Sequence, residues 1–200
     1  MKVSKERAAE NRKIILEAAA RMFRLHGVDG VGVADVMRET GLTHGALYSH
    51  FSSKDELVAA SCVHAMDENG KFWRELAGGS GEADSFTKIV RFYLSPEHRD
   101  RVEQGCVAAA LSGDIARQSP STRQSFTKSL HGFLQLLMGY ADMRSAAAAR
   151  RKALVSLSAM IGALTLARAV EEGTLSDEIL QTVTDELTKN NGRNKTLKSV

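Results

Sequence analysis

Apolar residues recur at spacings of three and four along almost the whole 200-residue chain, and no stretch sustains the period-two alternation of a half-buried strand. The two prolines, Pro96 and Pro120, lie outside the strongly periodic segments. An all-α fold of about nine helices is therefore expected. The first spans Lys5 to His26, with Ile14/Ile15, Ala18/Ala19 and Met22/Phe23 on one face, Ser4 able to cap its start and Gly27 ending it. Val33 to Thr40 is a short second helix. Ser53 lies three residues before Glu56, the spacing of a capping box, and opens a helix expected to reach Leu76 with a kink at Asn69-Gly70. The AGGSG run, residues 77–81, reads as a linker. Beyond it, helices are expected over 83–94, 106–117, 120–140 and 145–172. Ser119-Pro120 opens the third of these and Gly173 closes the fourth; a final helix capped by Ser176 runs to about Thr188.

Between the second helix and Ser53 lies GLTHGALYSHF, residues 41–51. Two short helices joined by a turn with Gly41 make a helix-turn-helix, Gly41 supplying the left-handed conformation that stops the first of them. Leu42, Leu47 and Phe51 are expected inward. Thr43, as cap, and His44 and Ala46 then lead the next helix, small enough to enter a major groove. Gly45 has no side chain and lets the backbone come close. Tyr48 and His50 face the phosphates, and Lys54 adds a cation beside the free N–H groups of the following helix. The expected DNA-binding set is thus Thr43, His44, Gly45, Ala46, Tyr48, His50 and Lys54.

Charge agrees with a local rather than a global nucleic-acid site. The formal net charge is only +3, but residues 1–26 hold seven Lys or Arg against three Glu. Lys189, Arg193, Lys195 and Lys198 make the tail basic, and it is expected to be disordered. Two cysteines, Cys62 and Cys106, do not make a disulfide scaffold, and no Cys/His cluster has metal-ligand spacing. The start, MKVSKERAAENRK, lacks a signal peptide's apolar core, and every apolar run is broken before 18 residues. A cytoplasmic protein with no membrane association, no metal and no cofactor is expected.

Residues 8–60 resemble the TetR/AcrR family of bacterial transcriptional regulators. The resemblance rests on Ile15-Leu16 through Ala18-Ala19 to Phe23 and His26-Gly27, on Gly41-Leu42-Thr43, on Leu47-Tyr48-Ser49-His50-Phe51, and on Lys54-Asp55-Glu56-Leu57. Two positions depart from the family's habit: Gly32 stands where Ser or Thr often caps the second helix, and His44 and Ala46 flank Gly45 where a larger or charged residue is common. The resemblance implies a DNA-binding domain over 1–53, an effector-binding and dimerisation domain over 54–188, and a basic tail over 189–200.

One helix-turn-helix reads too few bases to mark a genomic site, so a homodimer on a palindromic operator is expected. The segment 145–172 is apolar on two faces, Leu154/Leu157/Ile161/Leu164 and Val155/Ala159/Gly162/Leu166. With the stripe of the last helix, it supplies the expected dimer contacts Leu157, Ile161, Leu164, Ile179 and Val183. The resemblance implies a four-helix dimer bundle. The middle helices would hold a small apolar or aromatic effector against Trp73, Phe86, Val90, Tyr93, Cys106, Phe126, Leu130 and Phe133. Gly105-Cys106 before VAAAL resembles one branch of the family. A cysteine at a helix start near His98, Arg99 and Arg101 also suits a thiol sensor of oxidants or electrophiles, the alternative to a ligand-released repressor. An enzyme pairing Cys106 with His98 or His131 and an effector-free architectural DNA-binding protein are the other classes considered. No phosphate loop or carboxylate pair supports the enzyme.

Overall fold

The computed structural model describes residues 5–78 and 82–189, and within them the chain is helical with no strand. The helices are α1 (Lys5–His26), α2 (Val33–Thr40), α3 (His44–Tyr48), α4 (Lys54–Ala77), α5 (Glu82–Tyr93), α6 (Pro96–Asp100), α7 (Val107–Ile115), α8 (Pro120–Tyr140), α9 (Ala146–Ala169) and α10 (Gly173–Thr188), with a 3-10 turn at Val102–Gln104. The cap by Ser4, most of the linker at 77–81 and the tail beyond Lys189 lie outside the described residues.

The chain divides into two compact units, one of residues 1–68 with 102–129 and one of 69–101 with 130–200. The expected boundary at residue 53 differs from this grouping, because α4 as far as Glu68, α7 and the start of α8 cluster with the N-terminal helices. In the first unit α1 is the spine, and α2, α3, α7 and the 3-10 turn pack on it. Its buried face is Ile15, Leu16, Ala18, Ala19, Ala20 and Phe23, as the periodicity requires. In the second unit α9 and α10 pack together, and α5 lies against both.

Two local expectations are corrected. Ser176 does not cap α10, which starts at Gly173. The Ser176 hydroxyl instead donates to the Ala167 carbonyl at 2.7 Å, and Gly173 opens a helix rather than only closing one. Asn69-Gly70 lies inside α4, so it makes no hairpin turn, as expected. The Ser53 hydroxyl accepts from the Glu56 N–H at 3.1 Å, but the Glu56 carboxylate reaches Ser52, accepting from its N–H at 2.7 Å and its hydroxyl at 2.6 Å. The reciprocal half of the capping box is thus shifted by one residue.

By length and composition α9 is apolar enough to cross a membrane, contrary to the expectation that no stretch is. Its inner face (Ala153, Ser156, Leu157, Met160, Ala163, Leu164, Ala167) is buried in its own unit, the pattern of a core helix. Leu157 and Leu164 therefore belong to the fold's core, whereas Ile161, Ile179 and Val183 are half-buried. What α9 leaves exposed is Leu154, Val155 and Leu166, with half-buried Ala159 and Gly162 between them.

The turn after α2 gives a clean test of backbone strain. Gly41 sits at φ 68°, and a Cβ built there meets no atom within 4 Å. Any cost of Gly41→Ala is then conformational. A loss of about 1–2 kcal/mol in urea unfolding is expected, with Gly41→Asn losing less.

Candidate nucleic-acid interface

The helix-turn-helix is built by short-range backbone choices around two buried anchors. Gly32 starts α2 in extended backbone (φ −87°, ψ 159°), and its N–H donates to the Asp35 carboxylate at 2.9 Å. That bond, then the Arg38 guanidinium, hold the Asp35 carboxyl below its ordinary range. At the other end the Gly41 N–H donates to the Arg38 carbonyl at 3.4 Å. The chain leaves Gly41 through Leu42 to Thr43, which opens α3 in extended backbone (φ −77°, ψ 154°). The Thr43 carbonyl accepts from the Ala46 N–H at 2.9 Å, but its hydroxyl makes no capping hydrogen bond, so Thr43 caps by backbone alone.

α3 is five residues long. Leu47 is fully buried, and the Leu47 carbonyl accepts from both the His50 and Phe51 N–H groups, at 2.8 and 2.9 Å. Phe51 is buried in turn, with the Arg12 guanidinium 5.0 Å over its ring. With Leu47 turned in, the opposite side of α3 faces out. Thr43, His44 and Gly45 are exposed, Ala46 and His50 half-buried, and Tyr48 is 61% exposed, a high value for an aromatic ring. Only the Thr43 hydroxyl comes within 4 Å of a Cβ built on Gly45, at 4.0 Å. The fold does not demand a glycine there. Lys54 is half-buried at the head of α4. The residues expected to meet DNA thus all belong to the first unit.

The expected effector residues divide between the units. Cys106 and Phe126 belong to the first; Trp73, Phe86, Val90, Tyr93, Leu130 and Phe133 belong to the second. Cys106 is buried at the N-cap of α7, 3% exposed. Burial pushes the Cys62 thiol up to about 12, which fits a core cysteine. In the second unit the Trp73 ring stacks on Phe133 (centroids 6.0 Å, planes 6° apart) and meets Tyr93 at 5.7 Å. Phe86 and Val90 are fully buried, and the ammonium of Lys152 lies 4.5 Å from the Phe86 ring centroid.

Two features of this cluster were missed from sequence. His98, on α6, sits edge-on to Tyr93 (4.9 Å) and Trp73 (5.9 Å), and its Nδ1 lies 2.7 Å from the Tyr93 carbonyl. Arg168 reaches from α9 to donate to the His98 and Arg99 carbonyls, at 2.7 and 3.0 Å. Burial, opposed by the Tyr93 bond and aided by the Arg168 charge, lowers the His98 pKa to about 4. A neutral His98 adds no cation that could activate a thiol. Arg99 is committed to Asp177 (2.6 Å), Ser176 (3.0 Å) and Asp100 (2.7 Å). Among the described residues no group of His, Cys, Asp and Glu could hold a metal ion.

An exposed, slender helix anchored by one buried leucine, following a left-handed glycine turn, forms a helix-turn-helix, the motif whose second helix enters the major groove in DNA-binding proteins that carry it. Residues 15–61 match the family model described as "Bacterial regulatory proteins, tetR family". The transcriptional regulator TtgR of Pseudomonas putida is similar over 57 residues at 47% identity, covering 28% of this chain and 27% of TtgR. The match thus spans about a quarter of that relative's length. The whole fold is similar to solved structures. A TetR-family regulator from Cytophaga hutchinsonii superposes with TM-score 0.77 at 16% identity, over 94% of this chain and 98% of the other. The reduced form of NemR from E. coli superposes with TM-score 0.75 at 18% identity, over 90% and 96%. Over residues 15–61 the chain is thus similar to the tetR family of bacterial regulatory proteins, and over most of its length it shares the fold of the solved regulators.

The buried His98 makes stability depend on pH with a definite sign. An unfolded histidine binds its proton near pH 6.5 and this folded one near 4, so between those values the unfolded state holds more protons. Stability is therefore highest above pH 6.5, falls as pH drops towards 4, and gains no further loss from this group below that. Urea unfolding across pH 4–7 is expected to show the slope, and His98→Gln to flatten it.

Proposed function

We propose that the protein is a homodimeric transcriptional regulator that binds a palindromic DNA operator through α3 and is released by a small apolar or aromatic effector. The observation that carries the reading is the outward face of α3: Tyr48 is 61% exposed beside exposed Thr43, His44 and Gly45 on a helix that Leu47 alone anchors by a fully buried side chain. Thr43, His44 and Ala46 meet base edges, Gly45 admits the backbone, and Tyr48, His50 and Lys54 meet phosphates. The match to the tetR-family model spans residues 15–61 and so includes this segment.

Dimerisation uses the face of α9 that the fold leaves open. Leu154, Val155 and Leu166 are 44%, 60% and 56% exposed, and Gly162 lets a partner helix approach closely. Half-buried Ile161, Ile179 and Val183 would add to that surface, while buried Leu157 and Leu164 belong to the core. The effector is held in the second unit by Trp73, Tyr93 and Phe133, with Phe86, Val90 and Leu130 completing the apolar surroundings. Release follows if the effector binds the DNA-incompetent arrangement more tightly. A thiol-sensing role for Cys106 is the weaker reading, since its side chain is 3% exposed. Nothing in the arrangement favours catalysis.

Selection of genomic fragments on purified protein is expected to enrich a short palindrome. Affinity for it should fall steeply with salt, and Tyr48→Ala/His50→Ala should abolish the enrichment. A mutant that enriches the same fragments would sink the assignment of α3. In sedimentation, the wild type is expected as a dimer and Val155→Arg/Leu166→Arg as a monomer with unchanged helical circular dichroism.

A further inference from the structure

Asp55 follows Lys54 in the first turn of α4, and its carboxylate is turned onto the first turn of α8. Oδ1 accepts from the Thr122 hydroxyl at 2.7 Å; Oδ2 accepts from the Ser119 hydroxyl at 2.7 Å and the Ser121 hydroxyl at 3.3 Å. Ser119 Oγ also accepts from the Thr122 N–H at 3.3 Å, so the group that caps α8 also grips α4. Thr122 is fully buried. The partners are 64 to 67 residues apart in sequence, which makes this a tertiary bond and not a local cap. Two helix N-termini meet on one carboxylate, each favouring its negative charge. The Thr122 and then the Ser119 hydroxyl hold its pKa below the ordinary value.

Little slack separates this turn from α3. The Phe51 N–H bonds to Leu47, Ser52 bonds to Glu56, and the Ser53 carbonyl accepts from the Leu57 N–H at 3.1 Å. A rotation of α4's first turn must therefore carry Tyr48, His50 and Lys54 with it. The grip is also of moderate strength. Neutral hydroxyls rather than a cation hold the carboxylate among the described residues, so a small displacement of α8 can break it.

We propose that Asp55 is a positioning residue for DNA recognition: its latch on Ser119, Ser121 and Thr122 fixes the first turn of α4 and with it the outward face of α3, and opening the latch lowers DNA affinity. The proposal rests on the DNA-binding reading above. It predicts an effect opposite to plain electrostatics, because removing a negative charge beside Lys54 should by itself strengthen phosphate binding.

The test compares wild type, Asp55→Asn, Thr122→Val and the double variant, with Ser121→Ala as a surface variant that keeps the buried threonine. Affinity for the DNA fragment selected by the wild type is measured well below each melting midpoint, beside amide hydrogen exchange over residues 44–58. Each single substitution at Asp55 or Thr122 is expected to weaken binding roughly tenfold, the loss of a hydrogen bond to a charged group. The double variant should be no weaker than the poorer single, and exchange should quicken over 44–58. Lower melting midpoints with unchanged or tighter DNA binding would overturn the proposal and leave the regulator reading standing. If the wild type selects no DNA, the regulator reading falls, and the latch's role in recognition falls with it.

Discussion

A helix of five residues has no stability of its own in water, since nucleation costs more than so few hydrogen bonds return. Everything α3 presents outward therefore depends on Leu47 and Phe51 being buried. Leu47 is fully buried and Phe51 nearly so, and each large apolar side chain withdrawn from water contributes about 1.5–3 kcal/mol. α1 supplies the surface that receives them, because its buried face runs from Ile15 to Phe23 without a polar interruption that points inward. The outward residues are then free of any packing duty. Gly45 in particular has open space where a side chain would go.

The N-terminal helices were legible because their signals are local. α1, α2 and α3 occupy the spans that periodicity and the glycines at 27 and 41 dictate, and both glycines adopt positive φ (74° and 68°). Cap chemistry was legible in kind but not in partner: Glu56 found Ser52, and Thr43 capped with its backbone. The segment from Pro96 to Gln104 was not legible. Its residues, PEHRDRVEQ, show no apolar period; the Ser95 hydroxyl caps α6 locally, accepting from the His98 N–H at 3.2 Å, but bonds distant in sequence also hold α6 and the 3-10 turn. Arg168 grips the His98 and Arg99 carbonyls, and Arg24 donates to the Glu103 carbonyl. Ser176 was misread for the same reason, its hydroxyl being spent on Ala167.

The second unit shows where periodicity runs out as a guide. A helix apolar on two sides must be covered twice, but the pattern does not say which side its own fold covers. α9 resolves the choice with Leu157, Met160 and Leu164 inside and Val155 and Leu166 outside. The aromatic residues around Trp73 were found by composition, but their histidine was not. A polar ring at 5% exposure is stable there because its Nδ1 has the Tyr93 carbonyl and because burial keeps it neutral.

The acids near α3 complete the electrostatic argument. A surface proposed to meet phosphates cannot carry uncompensated carboxylates, yet Asp35, Glu39, Asp55 and Glu56 all lie within twelve residues of Leu47. Each has its charge answered. Asp35 pairs with Arg38 and Glu39 with Arg21, both at 2.5 Å. The Glu56 carboxylate accepts from Ser52 and feels the Arg12 charge. Asp55 is the one turned onto the hydroxyls and dipole of α8. The same geometry that answers its charge ties the first turn of α4, which follows α3, to a second helix. Under the proposed reading, compensating a carboxylate near the DNA and fixing the orientation of α3 are, at this residue, one interaction.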